Sequence, residues 1–400
     1  KSSYSNLLWG PPKKITNQIS ERKISWMELF YDLVYVIAIS KITNHFDHHP
    51  NLSGLLDYVY FFIMIFWGWL NGSMHHAIHG PPGLRTRFMT LWQMLVVSAL
   101  IVTLSSPPDK LLFNATIALM IMQLFITYLW WSVGIYDKRH RILNKPYTVC
   151  YLASLAIMAL TFLLPPAYIR TAFYISLLLN FLPPFIRHHS KKRKNISLTL
   201  SSSMIERLGL FTIIIFGEVV LGVINGVTVL EKLSALIWLN FSLGILIVFA
   251  LWWIFFVLIA DRESRMGTII GYFVVLSYIP TLMALGITGA SFSKLFSAFE
   301  NFNPGWIKSI FGISCCIFLF GTTLISQFLQ YEKPFKERKK KMQQILLLIG
   351  ASILIISILN LHIPLYGYLL FILALLVTVI IVITRMWLSI QLNNPDKEMV

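Results

Sequence analysis

Charged residues interrupt two of the longest apolar stretches of this sequence, and they are the residues best suited to chemistry. Glu28 and Asp32 lie in one stretch, and Glu206, Arg207 and Glu218 lie in another. A charge in the middle of a membrane costs about 2.5 kcal/mol or more, so residues of this kind usually mark a pathway for ions, protons or solutes. Carboxyls that are desolvated and close together bind protons more tightly than exposed ones. The pattern indicates a transport or proton-relay site.

The spacing of these residues predicts how they are presented. Glu28 and Asp32 are four residues apart, so they share one face of a helix, and Tyr35 continues that face. Lys41 comes nine residues after Asp32 and points in another direction. Asp32 and Glu218 are both expected near the middle of the membrane, where a pair of carboxyls takes up and releases a proton.

A static role for the acids is the alternative. Buried cations neutralise such acids in ion pairs that only fix helix packing, and the candidates are Arg207, Arg85, Arg87 and Lys41. Asn71 and Gln93 either line the same pathway or bond neighbouring helices. No metal site and no cofactor are predicted, because neither the histidines nor the three cysteines follow a ligand spacing.

Apolar segments that must form spanning helices surround these residues. Of the 400 residues, 56% are hydrophobic and 12% are charged, whereas soluble domains are about 25% charged. Apolar runs of about 18 or more residues indicate spanning helices. The fold class is therefore an all-α integral membrane protein of about twelve transmembrane helices, at roughly 24–46, 54–78, 86–105, 109–135, 146–164, 166–187, 203–226, 234–260, 266–290, 304–330, 342–360 and 363–390. The pair Pro183-Pro184 is expected to kink or end the sixth helix.

Basic residues are distributed unequally between the two sides of these twelve segments. Of the 33 Lys and Arg residues, 26 fall on the side of the N-terminus and 5 on the opposite side. Cytoplasmic loops carry such an excess of Lys and Arg, so both termini are expected in the cytoplasm of a bacterial cell. The basic clusters at 191–194 and 338–341 indicate contact with the anionic lipids of the inner leaflet rather than with nucleic acid.

An internal repeat is predicted at a shift of 186 residues. With this shift Asp32 aligns with Glu218, and Trp67 aligns with Trp253. Two parallel six-helix halves are characteristic of one class of transporter. The predicted division has a cytoplasmic tail, a first half, a basic linker, a second half and a second tail, at 1–23, 24–190, 191–202, 203–390 and 391–400.

Two segments resemble signatures of the bacterial low temperature requirement protein A family. They are SWMELFYDLVYV at 25–36 and ERLGLFTIIIFGE at 206–218. The pair Trp252-Trp253 and the stretch from Arg87 to Met94 are similar to further segments of that family. The chain departs from the family pattern at Phe255, where Tyr is usual, and at Val257, where an acid is usual.

The resemblance implies a membrane protein that is associated with growth in the cold and has no settled substrate. It also implies that Glu28, Asp32, Glu206, Arg207 and Glu218 are important. We expect a secondary transporter that couples a small solute or ion to protons, since the sequence has no GxxxxGK[ST] nucleotide motif. The alternatives are an ion channel of six-helix repeats, a membrane-embedded lipid-handling enzyme and a scaffold.

Overall fold

The computed structural model is helical in nearly all of the residues it describes, which are 24–48, 51–79, 83–106, 108–136, 138–189, 200–230, 234–260, 262–297, 305–331, 333–359 and 363–393. Contacts divide the chain into two compact units. The first comprises residues up to Phe211 together with 266–272, and the second comprises 212–265 with 273–400. The boundary after Phe211 falls inside the predicted second half, and most of the predicted linker at 191–202 lies outside the described ranges. The predicted division stays a prediction.

The helices follow the predicted segments, except that the ones predicted to begin at 146 and 342 begin earlier, at Lys138 and Lys333. Those that begin in the first unit are α1 (Trp26–His48), α2 (Leu52–His79), α3 (Leu84–Thr103), α4 (Pro108–Tyr136), α5 (Lys138–Leu160), α6 (Pro166–Phe181), α7 (Pro183–His189), α8 (Ser202–Thr228) and α10 (Thr268–Ser297). Those that lie wholly in the second unit are α9 (Ala235–Ile259), α11 (Gly305–Phe328), α12 (Lys333–Ile358) and α13 (Leu365–Asn393). The sixth predicted segment is divided at Leu182, as expected from Pro183-Pro184, and its remainder forms the short α7.

Nine helices of the described residues are long and apolar enough to span a membrane. Their outward surfaces are also apolar: Leu91 and Leu95 on α3 and Leu370 on α13 are each more than half exposed. Soluble proteins rarely expose apolar surface so extensively, whereas lipid covers it at no cost. The chain is therefore a polytopic membrane protein, while the count of twelve spans and the position of the termini stay predictions.

In the first unit α2 is the central helix and contacts α1, α3, α4 and α6. It can take this position because its middle is aromatic and fully buried, with Phe66, Trp67 and Trp69 at 0–1% exposure. Nearby, the side-chain amides of Gln123 on α4 and Asn180 on α6 bond reciprocally, at 2.7 and 3.0 Å. Polar pairs of this kind hold helices together where apolar side chains gain nothing by leaving lipid.

In the second unit α8 and α10 approach closely through small residues. A methyl group on Gly222 would overlap the backbone of Gly289, and one on Gly226 would lie 2.9 Å from the carbonyl oxygen of Ser293. Elsewhere α9 packs on α11 and α13, and α12 packs on the same two helices. The predicted repeat aligns Trp67 with Trp253, but their environments differ: Trp67 is buried, whereas Trp253 is 38% exposed. The internal repeat stays a prediction.

Candidate functional site

Asp32 is clamped by three donors in the core of the first unit. The Arg207 guanidinium binds both of its carboxylate oxygens, with Nε 3.2 Å from Oδ2 and Nη2 on Oδ1. The indole Nε1 of Trp69 donates to Oδ1 at 2.6 Å. Asp32 is 0% and Arg207 2% exposed, so each charge depends on the other for compensation. The contact pairs Asp32 with Arg207, one of the four cations that the static alternative named.

The two carboxylate oxygens of Glu28 make different contacts. Its Oε2 accepts hydrogen bonds from the backbone N and the Oγ of Ser25, both at 2.9 Å, while its own N lies 3.3 Å from Ser25 Oγ. This reciprocal capping box starts α1. The other oxygen, Oε1, lies 3.4 Å from His76 Nε2 and 3.7 Å from Arg207 Nη1. One half of the carboxylate is therefore structural and the other faces a titratable histidine.

Tyr31 links the acid face of α1 to α3. Its hydroxyl donates to Oε1 of Gln93 at 2.7 Å, and its ring lies 5.7 Å from the guanidinium carbon of Arg207. The hydrogen bond passes directly over Gly72 on α2, where a methyl group would collide with both partners. Glycine at this position is therefore required by the close approach of three helices.

A cavity opens beside these residues, wholly within the first unit. The cavity volume open to water-sized molecules is about 30 Å³, which suffices for about two waters. Its lining is unusually rich in titratable and charged side chains: Glu28, Tyr31, His75, His76, His79, Arg85 and Arg207.

The three histidines and Arg85 also line the cavity. The rings of His75 and His79 lie 5.5 Å apart, and both meet the edge of Trp130, at 6.0 and 6.2 Å. Arg85 is 8% exposed, and its Nη2 lies 3.5 Å from Ser132 Oγ. Among the described residues, no group of three or more His, Cys, Asp or Glu side chains is arranged so that it could hold a metal ion.

The other candidates from the sequence lie in different places. Asn71 is a buried node, whose Oδ1 accepts from Trp130 Nε1 at 3.1 Å and from the Tyr151 hydroxyl at 2.7 Å. Tyr35 is fully buried and packs on Tyr31.

The remaining candidates are not in the cavity. Glu206 and Arg87 are exposed, Lys41 is half-buried, and Glu218 is half-buried on the part of α8 that belongs to the second unit. The predicted pairing of Asp32 with Glu218 stays a prediction.

Sequence reasoning missed Trp69 and His76 as partners of the acids. Trp69 was one of several helical tryptophans, and nothing in its spacing distinguishes a hydrogen-bond donor from a packing residue. The signal for His76 was present in the run His75-His76 and His79 at the end of a spanning helix, where ionisable residues usually face the interior of the bundle.

A comparison with protein-family models decides the family. The model described as bacterial low temperature requirement A protein (LtrA) matches residues 23–386. The chain belongs to the LtrA family. The matched range includes both signature segments and every residue of the cavity, so the site described above lies in the part of the chain that defines an LtrA protein. A comparison with curated proteins gave no match.

Replacing Gly72 by alanine should destabilise this LtrA protein. The added methyl group would displace Tyr31 or Gln93 and break their hydrogen bond, and overpacking of this kind costs about 1–3 kcal/mol. The melting temperature of the purified protein in detergent measures the effect. Gly217→Ala is the matched control, since a methyl there meets nothing within 4 Å and alanine favours the helix. Equal melting temperatures for the two variants would contradict the close approach at Gly72.

Proposed function

We propose that this LtrA protein is a proton-coupled secondary transporter, and that it binds a small anionic solute in the cavity of the first unit. The observation that carries the proposal is the Glu28–His76 pair at 3.4 Å, which lines the water-sized cavity of the first unit. An acid next to a histidine inside a membrane protein is costly to maintain, and such groups usually serve a pathway.

The charge balance of the cavity favours an anion. Arg85 and Arg207 face two carboxylates, Glu28 in the lining and Asp32 directly behind Arg207. With the histidines neutral these four charges cancel. A proton that His76 takes up leaves the cavity with a net positive charge, and a bound anion offsets that charge. Proton and anion therefore stabilise one another's binding, which is the thermodynamic condition for coupled transport.

The contacts favour Glu28 and His76 over Asp32 as the proton-exchanging groups. Asp32 is fully buried and its oxygens are engaged by Arg207 and Trp69, so its charge serves to hold Arg207 in place. Oε1 of Glu28 faces the cavity, and so does His76. Glu218 keeps its predicted role as a second membrane-embedded acid. Glu206 is exposed near the start of the same helix and outside the cavity, so the proposed proton route does not include it.

The membrane and its orientation are also part of the proposal. The excess of 26 basic residues over 5 favours the cytoplasmic membrane of a bacterium with both termini inside, according to the positive-inside rule. This orientation places the start of α1 and the end of α2 on the cytoplasmic side, so the cavity would open toward the cytoplasm in the conformation described here.

Reconstitution into liposomes tests the proposed function. Purified protein is placed in vesicles that contain a pH-sensitive dye, and inorganic and organic anions, cations and neutral solutes are added one at a time. We expect that at least one anion is taken up in a saturable manner and that its uptake changes the internal pH. A panel in which no solute moves protons would contradict a proton-coupled transporter. Unitary electrical currents in the same vesicles would instead support an ion channel.

A further inference from the structure

A second group of cations lies in the second unit, far along the chain from the cavity residues. It consists of Arg262 and Arg265, which follow α9, and Lys339 near the start of α12. The segments that carry the group are joined by an antiparallel β-bridge between Ser264 and Leu329, with Arg265 N donating to Phe328 O at 2.9 Å and Gln330 N to Glu263 O at 2.9 Å. Backbone hydrogen bonds therefore hold together the two segments that carry the cations.

Aromatic rings pack against the cations of this group. The guanidinium carbon of Arg262 lies 4.3 Å from the ring centroid of Tyr331 and 5.3 Å from that of Phe335, and Lys339 Nζ lies 4.6 Å from the Tyr331 ring. The Tyr331 hydroxyl donates to the carbonyl of Leu258 at 2.7 Å. Burial raises the pKa of Tyr331, so this hydroxyl stays neutral and does not compensate the cations.

Lys339 is the residue that points to a ligand. It is 7% exposed, and among the described residues no hydrogen-bond acceptor lies within reach of its Nζ. The buried Oγ of Ser264 likewise has no hydrogen-bond partner in the described part of the chain. Both Arg262 and Arg265 repel the Lys339 ammonium. A desolvated ammonium among like charges is strongly unfavourable unless an anion compensates it.

We propose that Arg262, Ser264, Arg265 and Lys339 bind the phosphate of an anionic lipid head group. The positive-inside count assigns the two connecting segments that carry the group to the same side, the cytoplasmic one, where anionic lipids attract basic residues. The β-bridge between these segments agrees with their being on one side. Arginines supply fork-shaped donors for phosphate oxygens, Lys339 supplies a point charge, and the Ser264 hydroxyl supplies a further donor. The site is independent of the proposed transport function.

Lipid-dependent thermal stability tests this site. Detergent-purified protein is titrated with phosphatidic acid, phosphatidylglycerol or phosphatidylcholine, and inorganic phosphate is added in a separate arm. We expect both anionic lipids to raise the melting temperature and phosphatidylcholine to leave it unchanged. Lys339→Gln should weaken the apparent affinity for the anionic lipids at least about fivefold, which is the contribution of one basic residue near an anionic surface. If inorganic phosphate raises the melting temperature and the anionic lipids do not, the ligand is a free anion and the lipid site is wrong.

The controls separate binding from folding. Lys340 is exposed and adjacent to Lys339, so Lys340→Gln should retain full lipid stabilisation. Arg265 is also exposed, so Arg265→Gln should fold normally and still lose affinity. Four acids lie near the group in sequence: Glu263 is exposed, while Asp261, Glu332 and the side chain of Glu337 lie outside what the structure describes. If Asp261→Asn, Glu332→Gln or Glu337→Gln lowers the melting temperature in the absence of lipid as much as Lys339→Gln does, a carboxylate of the chain is the partner of Lys339 and the proposal is wrong.

Discussion

Arg207→Gln should be among the most destabilising single substitutions in this protein. It removes the guanidinium that binds both oxygens of Asp32 and leaves a carboxylate with 0% exposure without a cation. Breaking a buried pair by removal of one partner costs about 3–5 kcal/mol. We expect a large fall in the melting temperature of the detergent-purified protein, together with reduced recovery from the membrane.

The double variant Asp32→Asn/Arg207→Gln provides the control for this prediction. It removes both charges, and the amides that replace them can still bond to each other, so it should recover most of the lost stability. The coupling between the two sites in a double-mutant cycle should therefore be large. Arg87→Gln should change little, because Arg87 is exposed on α3. A double variant that is no more stable than Arg207→Gln would show that the ion pair does not hold these helices together.

Glu28→Gln should abolish proton coupling while the fold is retained. Glutamine serves as well as glutamate in a capping box, so the bond to Ser25 that starts α1 remains available. The charge that faces His76 is lost, and with it the compensation for a protonated imidazole. Coupling free energies are about 1–3 kcal/mol, so protonation should tighten anion binding about 5- to 150-fold in the wild type, and Glu28→Gln should lose this tightening. The pH dependence of the anion concentration that gives half-maximal uptake measures the effect.

His76→Gln should produce the same loss by removing the other partner. Wild-type uptake should increase as the external pH falls, because a protonated histidine favours the anion, and this increase should be absent in His76→Gln. Glu206→Gln is the matched control, since Glu206 is an exposed acid outside the cavity. If Glu28→Gln and His76→Gln keep the wild-type response to pH, the pair is not the proton carrier.

The positions of the helices followed directly from the sequence. Apolar length marked each long helix, and Pro183 marked the end of α6 because proline cannot continue the hydrogen-bond ladder. Helical periodicity also placed Glu28 and Asp32 on one face, and both now contact Arg207. These features depend on local chain geometry, which a single sequence contains.

The partners of the acids did not follow from the sequence. Arg207 lies 175 residues from Asp32 along the chain, and the sequence offered three further cations with equal claim. Arg87 is exposed and Lys41 is half-buried, but their exposure is set by how α1, α3 and α8 pack. Packing between membrane helices depends on close contacts of small residues such as Gly72, and these contacts cannot be read from the periodicity of one helix.

The most direct test of the central claim is whether the cavity selects anions. A single cysteine is introduced at Met89, which lines the cavity, in a protein whose Cys150, Cys315 and Cys316 are replaced by serine. The rates of modification by an anionic and a cationic methanethiosulfonate reagent of similar size are then compared across pH. The same ratio is measured for Ser105→Cys, which is exposed in the turn that follows α3, as the control outside the cavity.

We predict that the anionic reagent reacts faster at Met89→Cys and that its advantage grows as the pH falls, because His76 then becomes positively charged. The ratio of the two rates cancels the effect of pH on the thiol itself. The ratio at Ser105→Cys should not change with pH. A cationic reagent that reacts as fast or faster at Met89→Cys, at every pH, would contradict an anion site in this cavity and with it the proposed coupling.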